Sequence, residues 1–207
     1  MLVQDIMQRT VISVRPGTTV AEIAQLLQSR GIRHLPVLDQ GALVGIISDR
    51  DLKACMGGGA AIPNTGLDRV AAADIMTKRV ITTAPMFPVE DAARVMVTEK
   101  ISALPVTERG KLIGIVTETD VLELFVKGMG AGQPSSRIDV RLDRNSTALA
   151  ELVHAVEDAS VEICSIMTLG DRTGGKDVVI RVGSIDPRPA VANLERRGYA
   201  VRDPRKG

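Results

Sequence analysis

Gly45-Ile46-Ile47-Ser48-Asp49-Arg50-Asp51 returns further along the chain as Gly114-Ile115-Val116-Thr117-Glu118-Thr119-Asp120, a shift of 69 positions. The same shift carries Asp5-Ile6-Met7 onto Asp74-Ile75-Met76, Val11-Ile12 onto Val80-Ile81 and Pro16 onto Pro85. It carries Leu35-Pro36-Val37 onto Leu104-Pro105-Val106, and Gly41 and Leu43 onto Gly110 and Leu112. The register holds without a gap from residue 5 to residue 53. So many matches in one register, with Gly and Pro at the turns, identify an internal repeat.

Each copy reads as strand, helix, strand, strand, helix. Val11–Val14 is a short β-rich run. Val20, Ile23, Ala24 and Leu27 then fall on one face of a helix over Thr19–Arg30. Thr19 with Glu22 forms a capping-box pattern, and Gly31 suits the helix stop. His34–Asp39 and Ala42–Ser48 predict two strands around Gln40-Gly41, with a second helix from Asp49. The second copy repeats the plan, with Pro88 where the first has Thr19. A unit of about 50 residues buries little surface alone, so two copies are expected to share a face about a pseudo-twofold axis. The expected boundaries are 1–56 and 74–127 for the repeats, with residues 57–73 as a Gly-rich linker.

Each Ser/Thr-x-x-Asp ending places a hydroxyl at a strand end and a carboxylate in the next helical turn. One reading of Ser48/Asp51 and Thr117/Asp120 is a capping box, favoured also by the helix dipole. The other is ribose capture, in which a carboxylate accepts from two vicinal hydroxyls and the Ser or Thr adds a donor and an acceptor. The two roles are compatible.

Residues 2 to about 127 resemble the CBS-domain family, whose tandem pair forms a Bateman module. The resemblance rests on Asp-Ile-Met at each repeat start, on His34-Leu35-Pro36-Val37 and Ala103-Leu104-Pro105-Val106, and on the two endings quoted first. It implies binding of an adenosine-type ligand such as AMP, ADP or ATP in clefts between the repeats, with the Asp on the ribose. It places Ile46, Ser48, Arg50 and Asp51 opposite Ile101, Ser102 and Ala103. It places Ile115, Thr117, Thr119 and Asp120 opposite Ile32, Arg33 and His34. Arg33, His34 and Arg50 are the charges available for phosphate, and their counterparts Ser102, Ala103 and Thr119 are uncharged, so the two clefts are expected to differ. S-adenosylmethionine, a guanine nucleotide, or a scaffold with empty clefts are the alternatives.

Beyond a Gly/Ser linker at 128–136 the pattern changes. Ile138–Leu142, Val161–Leu169, Asp177–Val182 and Tyr199–Arg202 read as strands, and Ser146–Ala159 and Pro187–Arg197 as helices. The order is that of a ferredoxin-like βαββαβ domain over residues 137–203, so the fold class is α+β. Leu142–Leu152 resembles the first loop and helix of ACT domains, with Asn145-Ser146 where that family has Pro-Gly. The glycine there lets backbone approach a small amino-acid ligand, so packing or dimerisation is the expected role. The order CBS, CBS, ACT is similar to that of the acetoin-utilization regulators.

Composition narrows the function. The 207 residues are 44% hydrophobic and 25% charged, with formal net charge +1, two Phe, one Tyr and no Trp. The cores are therefore aliphatic. Neither a basic field nor stacking aromatics exist for nucleic acid. Cys55 and Cys164 lack the spacing of a zinc site or disulfide framework. His34 and His154 are the only histidines and have no nucleophile or metal-ligand neighbour at a working spacing, so catalysis is not expected. No cofactor is expected beyond the nucleotide ligand. A start without an apolar leader, and no run of 18 apolar residues, make the cytoplasm the expected compartment. A homodimer is expected, with a regulated enzyme or protein as its partner.

Overall fold

The computed structural model describes residues 1–57, 64–130, 132–142, 148–170 and 175–202. The expected Gly58-Gly59 linker, the Asn145-Ser146 loop, the 171–174 turn and the basic tail from Asp203 lie outside the described residues. The chain forms two compact units, Met1–Val121 and Leu122–Gly207.

In the first unit α1 is Val3–Ile6, α2 Val20–Arg30, β1 His34–Asp39, β2 Ala42–Ser48 and α3 Asp49–Gly57. After a 3-10 turn at Asn64–Arg69 come α4 (Ala72–Ile75), α5 (Val89–Glu99), β3 (Ala103–Glu108), β4 (Lys111–Thr117) and the start of α6 (Glu118–Gly128), which continues into the second unit. The hairpins β1–β2 and β3–β4 are antiparallel and match residue for residue across the repeat. Their turns carry Gln40 and Gly41 at φ 47° and 86°, and Arg109 and Gly110 at 50° and 76°. Two positive φ angles in a row give the twist that a two-residue hairpin needs. At the start of α2, Thr19 Oγ1 accepts from Glu22 N–H at 3.2 Å and Glu22 Oε2 accepts from Thr19 N–H at 2.8 Å, as the capping pattern predicts.

The strand expected at Val11–Val14 is reduced to one residue. Val14 makes a single parallel bridge to Val37, donating to Pro36 O at 3.0 Å and accepting from Leu38 N–H at 2.9 Å. Extending the ladder one way needs an N–H from Pro36 and the other way an N–H from Pro16, and proline has none. The second copy has the same bridge, Thr83 to Val106, bounded in the same way by Pro105 and Pro85.

The leading segments are exchanged between the repeats. Val3 and Gln4 donate to the carbonyls of Phe87 and Pro85, both at 2.9 Å, while Ala72 and Ala73 donate to those of Thr18 and Pro16 at 2.8 and 3.0 Å. Asp5 and Asp74 close these one-turn helices by accepting from the N–H of Leu2 and Ala71 at 2.8 and 2.9 Å. Val3 and Met7 complete a core with Ala92, Met96, Leu104, Val106 and Val116 of the second repeat. Ala72, with Met76 packed beside it, completes the core of Ile23, Leu27, Leu35, Val37 and Ile47 in the first.

The second unit contains β5 (Ser136–Leu142), α7 (Ala148–Glu157), β6 (Ile163–Gly170), β7 (Lys176–Val182), α8 (Arg188–Arg196) and β8 (Ala200–Arg202). Its sheet has the antiparallel order β6-β7-β5-β8. Ile138, Val140, Leu142, Val178, Ile180 and Val182 alternate onto one face and bury against Leu152, Ala155 and Val156 of α7 and Ala190 and Leu194 of α8. The buried Asn193 ties the two helices together, its Nδ2 donating to Ala155 O at 2.6 Å.

The exchange depends on Gly45 and Gly114. A Cβ on Gly114 would stand 2.6 Å from Met7 Sδ and 3.2 Å from Gln8 O, and one on Gly45 would meet Met76 in the same way, with Cγ at 2.8 Å. Gly114→Ala should therefore destabilise by ~1–3 kcal/mol through overpacking, and Met7→Ala by ~2–5 kcal/mol through lost burial. In urea unfolding the double variant should lose less than the sum, because removing the methionine makes room for the Cβ. Additive losses would contradict this packing.

Candidate functional site

Strand β2 ends at Ser48 and runs directly into α3, so Asp51 lies in the first turn of that helix. Asp51 Oδ2 accepts from Ser48 N–H at 2.7 Å and from Ser48 Oγ at 2.6 Å, and Ser48 Oγ accepts from Asp51 N–H at 3.3 Å. Thr117 and Asp120 repeat this at 2.8, 2.7 and 3.3 Å. The capping box is thus formed in both copies, and it uses one carboxylate oxygen. Among the described residues Asp51 Oδ1 has no hydrogen-bond partner, so the cap leaves an acceptor free.

Around Asp51 lies a cleft of about 190 Å³. The structure brings Ile46, Ser48, Arg50 and Asp51 of the first repeat together there with Ile101, Ser102 and Ala103 of the second. Both repeats hold these segments alike: Asp49 N–H donates to Arg33 O at 3.0 Å and Glu118 N–H to Ser102 O at 3.1 Å. Ile101 also packs against the second core, and Ile32 against the first.

The family resemblance implies a place for His34 with Arg33 on the Asp120 side. The structure places His34 in the Asp51 cleft, its Nε2 2.9 Å from Ser102 Oγ. Burial holds the imidazole below the usual histidine range, and the positive charge of Arg33 adds to this. This favours the neutral imidazole, which can hydrogen-bond with Ser102. Asp49 sits below the usual carboxylate range, first because it accepts from Lys53 Nζ at 3.1 Å.

On the Asp120 side, side chains meet across the repeats. Arg33 Nη2 donates to Thr119 Oγ1 at 3.4 Å, and Gln8 Nε2 donates to Asp120 Oδ1 at 3.2 Å. Gln8 bridges by backbone to Ile115.

Sequence reasoning missed the residues that the exchanged segment brings to the Asp51 cleft: Thr77, Arg79, Val80 and Ile81, together with Lys100 at the end of α5. The Val11-Ile12/Val80-Ile81 match was a visible signal, since these residues sit at one repeat position. Nothing in spacing tells which repeat they face.

Among the described residues no group of three or more His, Cys, Asp or Glu could hold a metal ion, and no helix is long and apolar enough to cross a membrane. The site offers a carboxylate oxygen, hydroxyls, aliphatic walls and side-chain cations. That set suits a polyhydroxylated ligand with a flat apolar part.

Comparison with known proteins finds the CBS domain at residues 3–58 and 72–127. An uncharacterized protein of Methanocaldococcus jannaschii, MJ1225, is 35% identical over 131 residues, which are 60% of this chain and 47% of that protein. The chain thus spans about half the length of this relative. The crystal structure of the CBS domain pair of protein MJ0100 with 5′-methylthioadenosine and S-adenosyl-L-methionine is 33% identical. It covers 61% of this chain and 97% of that one with a TM-score of 0.53. The crystal structure of CBSX2 in complex with AMP is 29% identical, with coverage of 61% and 97% and a TM-score of 0.53. The matched repeats make up more than half of the chain, and the protein belongs to the CBS-domain family.

Proposed function

We propose that this protein is a regulatory ligand sensor that binds an adenosine-type nucleotide between its CBS repeats and signals by changing shape rather than by chemistry. The observation that carries this reading is the Ser48/Asp51 pair: it caps α3 with one carboxylate oxygen, leaves the other without a partner among the described residues, and lines a cleft built by both repeats. A ribose diol donates to such an oxygen, and Ile46, Ile81 and Ile101 offer apolar walls to a base. Bound AMP in CBSX2 and bound adenosine compounds in the MJ0100 domain pair support the ligand class. The same MJ0100 complex favours S-adenosylmethionine as the second reading.

The second unit is read as an ACT-type domain of ferredoxin-like order, on its strand order β6-β7-β5-β8 with both helices on one face. Its role is packing and dimerisation, in a homodimer of the cytoplasm that acts on a regulated enzyme or protein, as the likeness to acetoin-utilization regulators implies. Leu122, Phe125 and Val126 stand exposed along one side of α6, and Ile166 and Leu169 stand exposed on the edge strand β6, surfaces that a second copy can cover.

Saturation with AMP at about 100 Kd should add about 2.7 kcal/mol and raise Tm by roughly 5–10 °C, and Asp51→Asn should remove most of the rise. No shift with AMP, ATP, adenosine or S-adenosylmethionine at millimolar levels would refute the reading. Light scattering at tens of micromolar should give about twice the 22.1 kDa chain mass, and a monomer would contradict the dimer.

His34 gives a pH signature. Its value in the fold lies below the unfolded one of about 6.5, so the unfolded chain binds the extra proton and stability falls as pH drops below that point. The urea midpoint should therefore fall more between pH 7 and 5.5 in the wild type than in His34→Gln. Equal falls would show that His34 titrates freely.

A further inference from the structure

The repeat junctions around Asp51 and Asp120 share one plan and differ at matched positions. Gln8 and Thr77 occupy the same place in the repeat, each bridged by backbone to the isoleucine of the other copy's strand, Ile115 and Ile46. The Gln8 side chain is long enough to reach Asp120, and its Nε2 donates to Oδ1 at 3.2 Å. Asp120 Oδ2 is already held by Thr117 at 2.7 Å, so both oxygens are engaged. Thr77 lines the first cleft but is too short to do the same, and Asp51 Oδ1 stays without a partner among the described residues.

Charge divides the clefts in the same sense. Arg50, Arg79 and Lys100 line the first cleft. The matched residues in the other copy are Thr119, Thr10 and Gly31, all uncharged. Lys100 holds its place in a left-handed backbone conformation, φ 56°, where the first repeat has Gly31 at 61°. A lysine there is disfavoured by its Cβ, and such strain is retained at sites of function. The cation on the second side, Arg33, is bonded to Thr119.

We infer that the protein is a one-site receptor for a phosphate-bearing nucleotide: the Asp51 cleft takes the ligand, Arg79 and Lys100 receive its phosphate, and Gln8 keeps the Asp120 cleft from competing. This rests on the reading that Asp51 accepts the ribose. A hydrogen bond to a charged acceptor corresponds to about a tenfold change in affinity, which sets the size of the Gln8 effect. Gln8 meets Ile115 through its main chain, so a shorter side chain leaves that bridge intact.

Calorimetric titration of the full chain with AMP tests this. The wild type should bind one AMP per chain. Gln8→Thr should gain a second site, about tenfold tighter than any residual binding there in the wild type, and Gln8→Thr with Asp120→Asn should lose it again. Independently, Thr77→Gln should weaken the first site by about tenfold. Arg79→Ala should weaken AMP while leaving adenosine unchanged. Two equal sites in the wild type would overturn the one-site assignment, and one site in both wild type and Gln8→Thr would overturn the blocking role of Gln8; either result leaves nucleotide binding standing. A wild type that binds neither AMP nor adenosine would overturn the nucleotide reading itself.

Discussion

Everything in the first unit depends on the exchange of two short segments. Leu2–Gln8 closes the core of the second repeat and Ala71–Thr77 closes the core of the first. Each is held by main-chain hydrogen bonds to the Pro16–Thr18 or Pro85–Phe87 carbonyls and by a methionine laid over a glycine. A repeat deprived of its partner would expose Ile23, Leu27 and Leu35, or Ala92, Met96 and Leu104, which now share a core with Ala72 or Val3. Neither copy can bury its apolar face alone, and the pair therefore folds as one body.

The exchange also creates the Asp51 cleft. Because Thr77 leaves the second repeat and bridges to Ile46 in the first, the chain after it carries Arg79, Val80 and Ile81 across to Asp51. A ligand seated there touches both repeats, so its affinity depends on their arrangement. By linkage, it favours whichever arrangement it fits better. The site is an interface within one chain, and drift between the two copies alters its chemistry without disturbing either core. Arg79 against Thr10, Lys100 against Gly31 and Thr77 against Gln8 are such differences, all at the edges of conserved-looking architecture within this one sequence.

Much of this was legible before any coordinates. The hairpin strands are readable to the residue because β-rich runs flank a two-residue turn ending in Gly, although the register shift at Val37/Leu38 and at Val106/Thr107 has no signal in the pattern. The Thr19/Glu22 cap was readable because its atoms are local. The first strand is shorter than its composition suggests: Val11–Val14 is β-rich, but the prolines that end its ladder lie at Pro16 and, through the partner strand, at Pro36. The exchange was hidden by the symmetry itself. Asp5-Ile6-Met7 and Asp74-Ile75-Met76 are equivalent, so their pattern is the same whether each packs on its own copy or on the other. For the same reason the repeat pattern does not tell which side His34 faces, and Arg79, Lys100 and Gln8 carry no local signal.

The most direct test of the account is a crystal structure of the chain grown with AMP. The account predicts density in the Asp51 cleft, with a ribose hydroxyl on Asp51 Oδ1, the base between Ile46 and Ile101, and the phosphate near Arg79 and Lys100. Gln8 should remain on Asp120. AMP seated only against Asp120, or bound away from both carboxylates, would contradict it.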